Sequence, residues 1–163
     1  MSTTSTEIAW MVRNLREDDL EAVIALDARN TGRRRGDFFR RKLQQNLVES
    51  GIKVSLAAES EGALRGFLLA RVQYGEFGRM EPVAVLETIA VDPTLQRAGA
   101  GHVLLRQLQM NLAALNIPTL RTDVAWDQWG MVAFLRKEGF LPAPRLCLEL
   151  DVRFPLDGPG PSP

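Results

Sequence analysis

Two glycines, Gly99 and Gly101, stand directly ahead of an aliphatic helix pattern in the segment VDPTLQRAGAGHVLL. The strand-like run before them stops at Asp92-Pro93, because proline has no N–H to donate to a sheet ladder. Glycine has no Cβ, so a ligand can approach its backbone, and the free N–H groups of a helix start attract anions such as phosphate. The segment therefore predicts either an anion site or a tight turn that feeds a buried helix.

Two well-known phosphate-binding loops do not fit this spacing. A dinucleotide-binding loop has a third glycine three residues after the second, and position 104 is leucine. A nucleoside triphosphate loop ends in Gly-Lys-Ser or Gly-Lys-Thr, which the segment lacks. A phosphate ligand at these glycines would therefore belong to another class.

The elements that must position this loop follow from hydrophobic periodicity. Helix patterns, with apolar residues three or four positions apart, occupy residues 15–30, 37–50, 104–115 and 127–140. Strand patterns occupy residues 10–14, 52–60, 63–75, 82–91, 119–126 and 145–152. The order β α α β β β α β α β predicts a mixed α/β sheet. We expect one domain over residues 1–154 and a flexible tail over residues 155–163, which is rich in proline and glycine.

Composition argues against several functions. The chain of 163 residues has 20 Lys and Arg and 20 Asp and Glu, so no net charge favours nucleic acid or a membrane surface. Cys147, expected as a small buried residue, is the only cysteine and His102 the only histidine, so we expect no internal disulfide and no metal site. No apolar run reaches membrane-spanning length and the first ten residues lack a signal-peptide core, which predicts a cytoplasmic protein.

One basic cluster interrupts the charge balance. It lies in the loop and second helix pattern and comprises Arg33, Arg34, Arg35, Arg40, Arg41 and Lys42. Such a run is either a solvated surface or a rim that attracts an anionic substrate or cofactor. Neither alternative is decided by the spacing.

The strand ending in ETIAVDP, the loop QRAGAG, the aliphatic helix, the next strand and the helix ending in EGF together resemble the GNAT superfamily of acyl-CoA-dependent N-acyltransferases. The family's loop, Gln/Arg-x-x-Gly-x-Gly/Ala, is matched by residues 96–101, here named the glycine loop. The resemblance is close over residues 83–140. It implies an α/β fold with a mixed, mostly antiparallel sheet, splayed central strands and flanking helices.

The resemblance also implies acetyl-CoA as co-substrate. The pyrophosphate would meet the glycine loop and helix start, at Gln96, Arg97, Ala98, Gly99, Ala100, Gly101 and His102. The pantetheine arm would hydrogen-bond like an added strand to the backbone of Ile89, Ala90 and Val91. Two residues at the family's Asn and Phe positions in the last helix complete the predicted cofactor site: Gln128 and Phe134.

Acyl transfer to an amine requires a neutral nucleophile, because an ammonium group has no lone pair. Glu87, on the strand before the cofactor edge, is one candidate base; the alternative is a polar residue on a strand's solvent side. Asp123 is the second candidate and, being one methylene shorter than Glu, would need a water bridge. The two carboxylates could face each other across the splay. The acceptor would be a primary amine of a small molecule or peptide, and both a monomer and a homodimer stay open.

Position 135 departs from the family pattern. The family places a tyrosine there that protonates the departing thiolate, whereas this chain has Leu135. Either the thiolate leaves unassisted or another donor serves. Two functions are therefore considered, an N-acetyltransferase and a non-catalytic acyl-CoA-binding regulatory module. Trp126 and Trp129, at the start of the same helix, pack in the core or line the acceptor pocket.

Overall fold

The computed structural model describes residues 7–75 and 78–153. Its main elements, in chain order, are β1 (Met11–Asn14), α1 (Leu20–Thr31), α2 (Gly36–Leu43), β2 (Leu56–Ser60), β3 (Ala63–Gln73), β4 (Val83–Val91), α3 (Ala100–Ala114), β5 (Thr119–Arg121) and α4 (Trp129–Lys137). A π-helical turn, Gln44–Glu49, prolongs α2, and a 3-10 turn, Pro93–Leu95, separates β4 from the glycine loop.

The five strands form one sheet in the order β1-β2-β3-β4-β5. Neighbouring strands are antiparallel except β4 and β5, which are parallel. This last pairing joins only Val83–Val85 to Thr119–Arg121. Beyond it the two strands part, and a side-chain hydrogen bond from Thr122 Oγ1 to the Leu86 carbonyl, at 2.9 Å, spans the gap between them. The predicted mixed sheet with splayed central strands is confirmed.

A β-bulge interrupts β4 at Glu87. Leu69 pairs with Thr88 while Ala70 pairs with Leu86, so Glu87 has no opposite residue on β3. The extra residue reverses the alternation of side chains between the two faces of the strand. Bulges often redirect a side chain next to an active site, and this one occurs where β4 leaves β5.

Helices cover both faces of the sheet, and each face has its own core. One core packs α3 and α4 on the sheet through residues that include Leu56, Leu68, Ala84, Leu86, Leu104, Leu105, Leu108 and Leu135. The other packs α1 and α2 on the opposite face through residues that include Val23, Ile24, Leu26, Phe39, Leu43, Ala57, Phe67 and Leu69. Successive strand residues alternate between the cores, as the two-residue period of a strand requires.

Two sequence predictions about strands are wrong for the single chain. The strand predicted over residues 119–126 ends at Arg121, and residues 145–152 form no strand. The alternating apolar residues of that segment are exposed, and so is Cys147, which was expected to be buried. An apolar alternation gives the tendency to form a strand, but a strand also needs a neighbouring edge, and no such edge lies against this segment in the described chain. The predicted tail, residues 155–163, lies outside the described residues.

Candidate active site

The segment that joins β4 to α3 is held by Asp92, whose side chain is fully buried. Its carboxylate accepts hydrogen bonds from Thr94 Oγ1 at 2.7 Å and from Thr94 N at 3.0 Å. Arg65 and Arg29 lie 3.2 and 3.3 Å from the other carboxylate oxygen. The Thr94 hydroxyl and these cations hold the pKa of Asp92 below its ordinary value, against the effect of burial. Asp92 therefore fixes the chain as it leaves β4.

The glycine loop has the backbone of an anion site. Arg97 and Gly99 both have left-handed conformations, with φ of 67° and 92°. Alternation of such residues turns successive N–H groups toward one concave surface. No side chain in residues 7–75 or 78–153 caps the start of α3, and the indole Nε1 of Trp10 holds the loop by donating to the Ala98 carbonyl at 2.9 Å. The first N–H groups of α3 are thus left without a capping side chain.

Packing requires a glycine at position 101, which the sequence alone did not reveal. A Cβ at this position would lie 2.8 Å from Cζ of Phe134, which is too close for any carbon atom. Phe134 of α4 therefore packs directly against the first turn of α3. The prediction that both residues serve the cofactor stays a prediction, but their contact explains why α3 and α4 come together at the loop.

The backbone at the end of β4 offers an open edge. Asp92 N–H donates to the Arg65 carbonyl on β3, at 2.7 Å. The backbone N–H and C=O groups of successive strand residues point to opposite edges. Those of Ala90 therefore point to β3, as Asp92 N–H does, while those of Ile89 and Val91 point to the side where β5 has parted. Asn30 Nδ2 occupies one of those groups by donating to the Val91 carbonyl at 3.0 Å.

Glu87 projects from the bulge toward α2, and its side chain is only 13% exposed. One carboxylate oxygen lies 2.9 Å from Arg71 Nε and 3.1 Å from Lys42 Nζ. The other accepts a hydrogen bond from Asn46 Nδ2 at 3.0 Å. The carboxylate is therefore a charged group in a fixed orientation, which excludes the alternative of an ordinary polar residue on a solvated strand face.

Asn46 is a site residue that sequence reasoning missed. It lies in the π-helical turn after α2, is buried, and also donates to the Lys42 carbonyl at 2.9 Å. Its Oδ1 is buried without a hydrogen-bond partner within the described part of the chain. Buried acceptors are normally paired, so this oxygen suits a donor such as a water molecule or an ammonium group. A π-turn often occurs at a functional site, but periodicity alone does not reveal one.

Three other predicted site residues make no hydrogen bond or ion pair with Glu87 within the described residues. Asp123 follows β5 as an exposed residue, and no hydrogen bond or ion pair is formed by its side chain within the described residues. Gln128 is exposed at the N-terminal boundary of α4. His102 lies on the first turn of α3, with Nδ1 2.9 Å from the Glu138 carboxylate at the end of α4. No direct contact joins Glu87 to Asp123 within the described residues, and their facing each other across the splay stays a prediction.

The residues around α4 have contrasting environments. Leu135 is 4% exposed and belongs to the core beneath α3 and α4, so the position that holds tyrosine in the family faces apolar side chains here. Trp126 and Trp129 are 92% and 72% exposed. The core-packing alternative for the two tryptophans is therefore wrong.

The basic cluster is largely neutralised by local carboxylates. Arg34 pairs with Glu21, Arg35 with Asp27 and Arg40 with Asp37, at distances of 2.9, 2.6 and 2.8 Å respectively. Lys42 is the member that contacts the candidate site, through Glu87. These contacts favour the solvated-surface alternative for most of the cluster. Among the described residues no group of three metal-ligating side chains occurs, and no helix is long and apolar enough to cross a membrane.

Asp92→Asn tests the anchor of the loop. We expect the free energy of unfolding at pH 7 to fall by about 2–3 kcal/mol, because a buried carboxylate loses its charge-assisted bonds. The native pKa of Asp92 is lowered, so this stability is present above the unfolded pKa of about 3.9 and is lost as pH falls through the native value. In urea denaturation, the difference in the free energy of unfolding between wild type and Asp92→Asn should therefore shrink from pH 7 to pH 3.

Asp37→Asn is the matched control, because Asp37 is an exposed carboxylate paired with Arg40. Asp37→Asn should lower the free energy of unfolding by less than about 0.5 kcal/mol. Equal losses for the two variants, or an Asp92 effect that does not change with pH, would contradict the anchoring role.

Comparisons with known proteins agree with this geometry. The model of the acetyltransferase (GNAT) family matches residues 12–140. Aminoglycoside N-acetyltransferase AAC(6')-Iy, solved in complex with CoA, is similar with a TM-score of 0.75 and 18% identity, covering 91% of this chain and 99% of that one. The aminoglycoside 6'-N-acetyltransferase AAC(6')-Ih of Acinetobacter baumannii is similar with a TM-score of 0.74 and 20% identity, covering 88% of this chain and 98% of that one.

A Trypanosoma brucei acetyltransferase is similar with a TM-score of 0.68 and 21% identity, covering 88% of this chain and all of that one (100%). A comparison with curated proteins finds no match. At these identities the solved structures establish a shared fold, while the family match spans most of the sequence. The chain belongs to the GNAT acetyltransferase family.

Proposed function

We propose that the protein is an N-acetyltransferase that transfers an acetyl group from acetyl-CoA to a primary amine of a small molecule or peptide. The observation that carries the proposal is the parting of β4 from β5 ahead of a helix start that no side chain of the described residues caps. That arrangement places a polar backbone edge next to a candidate anion site. A cytoplasmic location is the accompanying proposal from the sequence.

The residues present fit the chemistry of coenzyme A. The N–H groups at the start of α3 and the left-handed residues Arg97 and Gly99 suit a pyrophosphate. The outward backbone of Ile89, with the N–H of Val91, suits the amides of the pantetheine arm, as in β-augmentation. When bound, acetyl-CoA would supply the activated acetyl group. That AAC(6')-Iy is solved with CoA supports the same use of the shared fold.

Glu87 is the proposed group that manages the charge of the acceptor amine. The amine nitrogen must lose a proton as it forms its bond to the acetyl carbon and the carbon–sulfur bond breaks. Glu87 would take that proton, directly or through water, and the negative charge would leave on the thiolate. Lys42, Arg71 and Asn46 keep the carboxylate oriented. The unpaired Asn46 Oδ1 nearby suits the same ammonium or water donor.

Asp123 stays the alternative base. It lies just past the end of β5, on the strand that borders the cleft, and its exposure allows it to act through water. Because its side chain has no partner in the described residues, it lacks the fixed orientation that Glu87 has. Orientation favours Glu87, since a positioned base contributes more than a mobile one.

The exposed indoles of Trp126 and Trp129 are proposed to border the acceptor site. They stand at the end of β5 and the start of α4, on the side where the sheet opens. Large aromatic surfaces left in water are common at binding sites. Two structural neighbours are named as aminoglycoside acetyltransferases, which makes small-molecule amines the first acceptors to test.

The second candidate function is a non-catalytic module that binds acyl-CoA. The burial of Leu135 favours it, because the position that supplies a proton donor in the family is apolar here. A thiolate is a good leaving group, with a thiol pKa of about 8.5, so an enzyme without this donor is chemically reasonable. Turnover of acetyl-CoA in the presence of an amine panel separates the two functions.

Gly99→Ala tests the glycine loop. A side chain at φ of 92° is strained and would turn the N–H groups away from the anion site. We expect the affinity for acetyl-CoA, measured by calorimetry, to fall at least about tenfold. Gly62→Ala is the control, because Gly62 also has a positive φ (73°) but lies in the β2–β3 hairpin. Unchanged affinity in a folded Gly99→Ala protein would show that the loop does not bind the cofactor.

Glu87→Gln tests the carboxylate. We expect kcat to fall about 100-fold or more while acetyl-CoA affinity changes little, since a positioned base contributes on this scale. Glu59→Gln is the control, because Glu59 is a similarly shielded carboxylate paired with Arg13 on another strand. If Glu87→Gln keeps wild-type kcat while Asp123→Asn loses it, Asp123 is the base instead.

A further inference from the structure

The amine of Lys42 lies in contact with the carboxylate that is proposed as the base. Lys42 Nζ is 3.1 Å from Glu87 Oε1, and the lysine side chain is 28% exposed, so solvent and small molecules can reach it. The proposed acceptor is also a primary amine, and it too must give a proton to Glu87. The chain therefore carries a primary amine of its own beside the group that would activate an acceptor.

The residue type at position 42 is informative. Lys42 is the only lysine of the basic cluster, and the other five members are arginines. An ion pair with a carboxylate suits arginine at least as well, because its guanidinium can donate two parallel hydrogen bonds. Arginine keeps its charge, whereas a lysine amine can lose its proton and act as a nucleophile. An ion pair with Glu87 does not require lysine at this position, but acyl transfer to the side chain does.

The backbone that carries Lys42 is held firmly against the sheet. Phe39 and Leu43, on the same helix, are buried in the core beneath α1 and α2. Asn46 donates from Nδ2 to the Lys42 carbonyl at 2.9 Å and to Glu87 at 3.0 Å. Lysine has a flexible four-carbon stem, so its amine can turn from Glu87 toward the opening of the sheet while its backbone stays in place.

The proposed cofactor contacts along β4 bring the acetyl group to the same level of the strand. The pyrophosphate is proposed at the glycine loop, and the pantetheine arm at Val91 and then Ile89. A strand advances about 3.3 Å per residue, so the arm, continued away from the loop, reaches the level of residue 87. Glu87 occupies the bulge at that level, with Lys42 in contact. The amine of Lys42 is thus within one side chain of the proposed acetyl end.

We infer that the protein acetylates its own Lys42, using acetyl-CoA bound to the same chain, an inference that rests on the proposed function. Lys42 Nζ would give one proton to Glu87, directly or through water, and form a bond to the acetyl carbon. The carbon–sulfur bond would break with its electron pair on sulfur. A second proton from Nζ would pass to that sulfur, so CoA leaves as a thiol, and Glu87 would return its proton to water. The product is a neutral amide with one N–H.

Acetylation of Lys42 would change the charge of the proposed site. The amide carries no charge, although its N–H can still donate to Glu87. Of the two cations that now contact this carboxylate, Arg71 would remain. Self-acetylation would therefore alter the charge that an acceptor amine meets, which makes it a means of regulating the proposed reaction.

Mass spectrometry of the full chain after incubation with acetyl-CoA tests the inference. The sequence has three lysines, so Lys53 and Lys137, which are both exposed, are internal controls. We expect an added mass of about 42 Da on Lys42, which is the mass of an acetyl group replacing a proton. It should form at least about tenfold faster than on either control, because its amine is held beside the acetyl group. The rate constant should not depend on protein concentration.

Three variants define what this labelling depends on. Lys42→Arg keeps a cation beside Glu87 and should remove the labelled peptide. Glu87→Gln should slow the labelling of Lys42 about 100-fold, since a positioned base contributes on this scale. Lys53→Arg is the matched control and should leave the labelling of Lys42 unchanged.

Labelling with acetic anhydride gives a measurement that needs no acetyl transfer from the cofactor. Saturating CoA, which carries no acetyl group, should slow the labelling of Lys42 severalfold and leave Lys53 and Lys137 unchanged. Binding of CoA without protection of Lys42 would mean that this lysine does not lie at the acetyl end of the cofactor, which would overturn the inference.

The acetyl-CoA experiment also separates failure of the inference from failure of the proposed function. Equal labelling of the three lysines would mean chemical acetylation from solution, and a rate constant that rises with protein concentration would mean transfer between chains. Either result would overturn the inference. Turnover of external amines without a label on Lys42 would overturn it and leave the proposed function intact. Binding of acetyl-CoA with neither a label nor turnover would contradict both.

Discussion

The parting of β4 from β5 after Val85 is the constraint on which the rest of the site depends. Two parallel strands that stay paired would bond the backbone groups on their facing edges and leave no opening between them. Here the pairing ends after three residue pairs, and the Thr122 hydroxyl takes over the Leu86 carbonyl. The outward backbone at the end of β4 borders this opening, and the glycine loop and the start of α3 follow it in the chain.

The bulge at Glu87 couples this opening to the helical layer on the other face. Without the extra residue, the alternation of β4 would place different side chains toward α2. With it, Glu87 meets Lys42 and Asn46 from α2 and its π-helical turn. A local irregularity in one strand thus orients a carboxylate beside the cleft. Asn46 Oδ1 is buried without a hydrogen-bond partner among the described residues, which costs free energy, and an incoming donor would remove that cost.

Periodicity and turn residues were enough to predict most of the fold. Apolar residues every three or four positions located α1, α2, α3 and α4, and the glycine loop was placed correctly between β4 and α3. The partners of Glu87 were not predictable, because they depend on a bulge and a π-turn that only tertiary packing reveals. The sequence analysis explained Gly101 by cofactor binding, whereas its close packing against Phe134 is visible only in three dimensions. The strand predicted over residues 145–152 did not form, because a strand pattern does not specify which sheet edge would pair with it.

Backbone hydrogen exchange with and without CoA, followed by mass spectrometry, tests the central claim most directly. If the opening beside β4 and the glycine loop bind the cofactor, amides in residues 87–91 and 97–103 should exchange at least about tenfold more slowly when CoA is bound. The hairpin at residues 60–63, remote from the cleft, should exchange at an unchanged rate. Saturating CoA that leaves both segments unprotected, or that protects only other parts of the chain, would contradict the account.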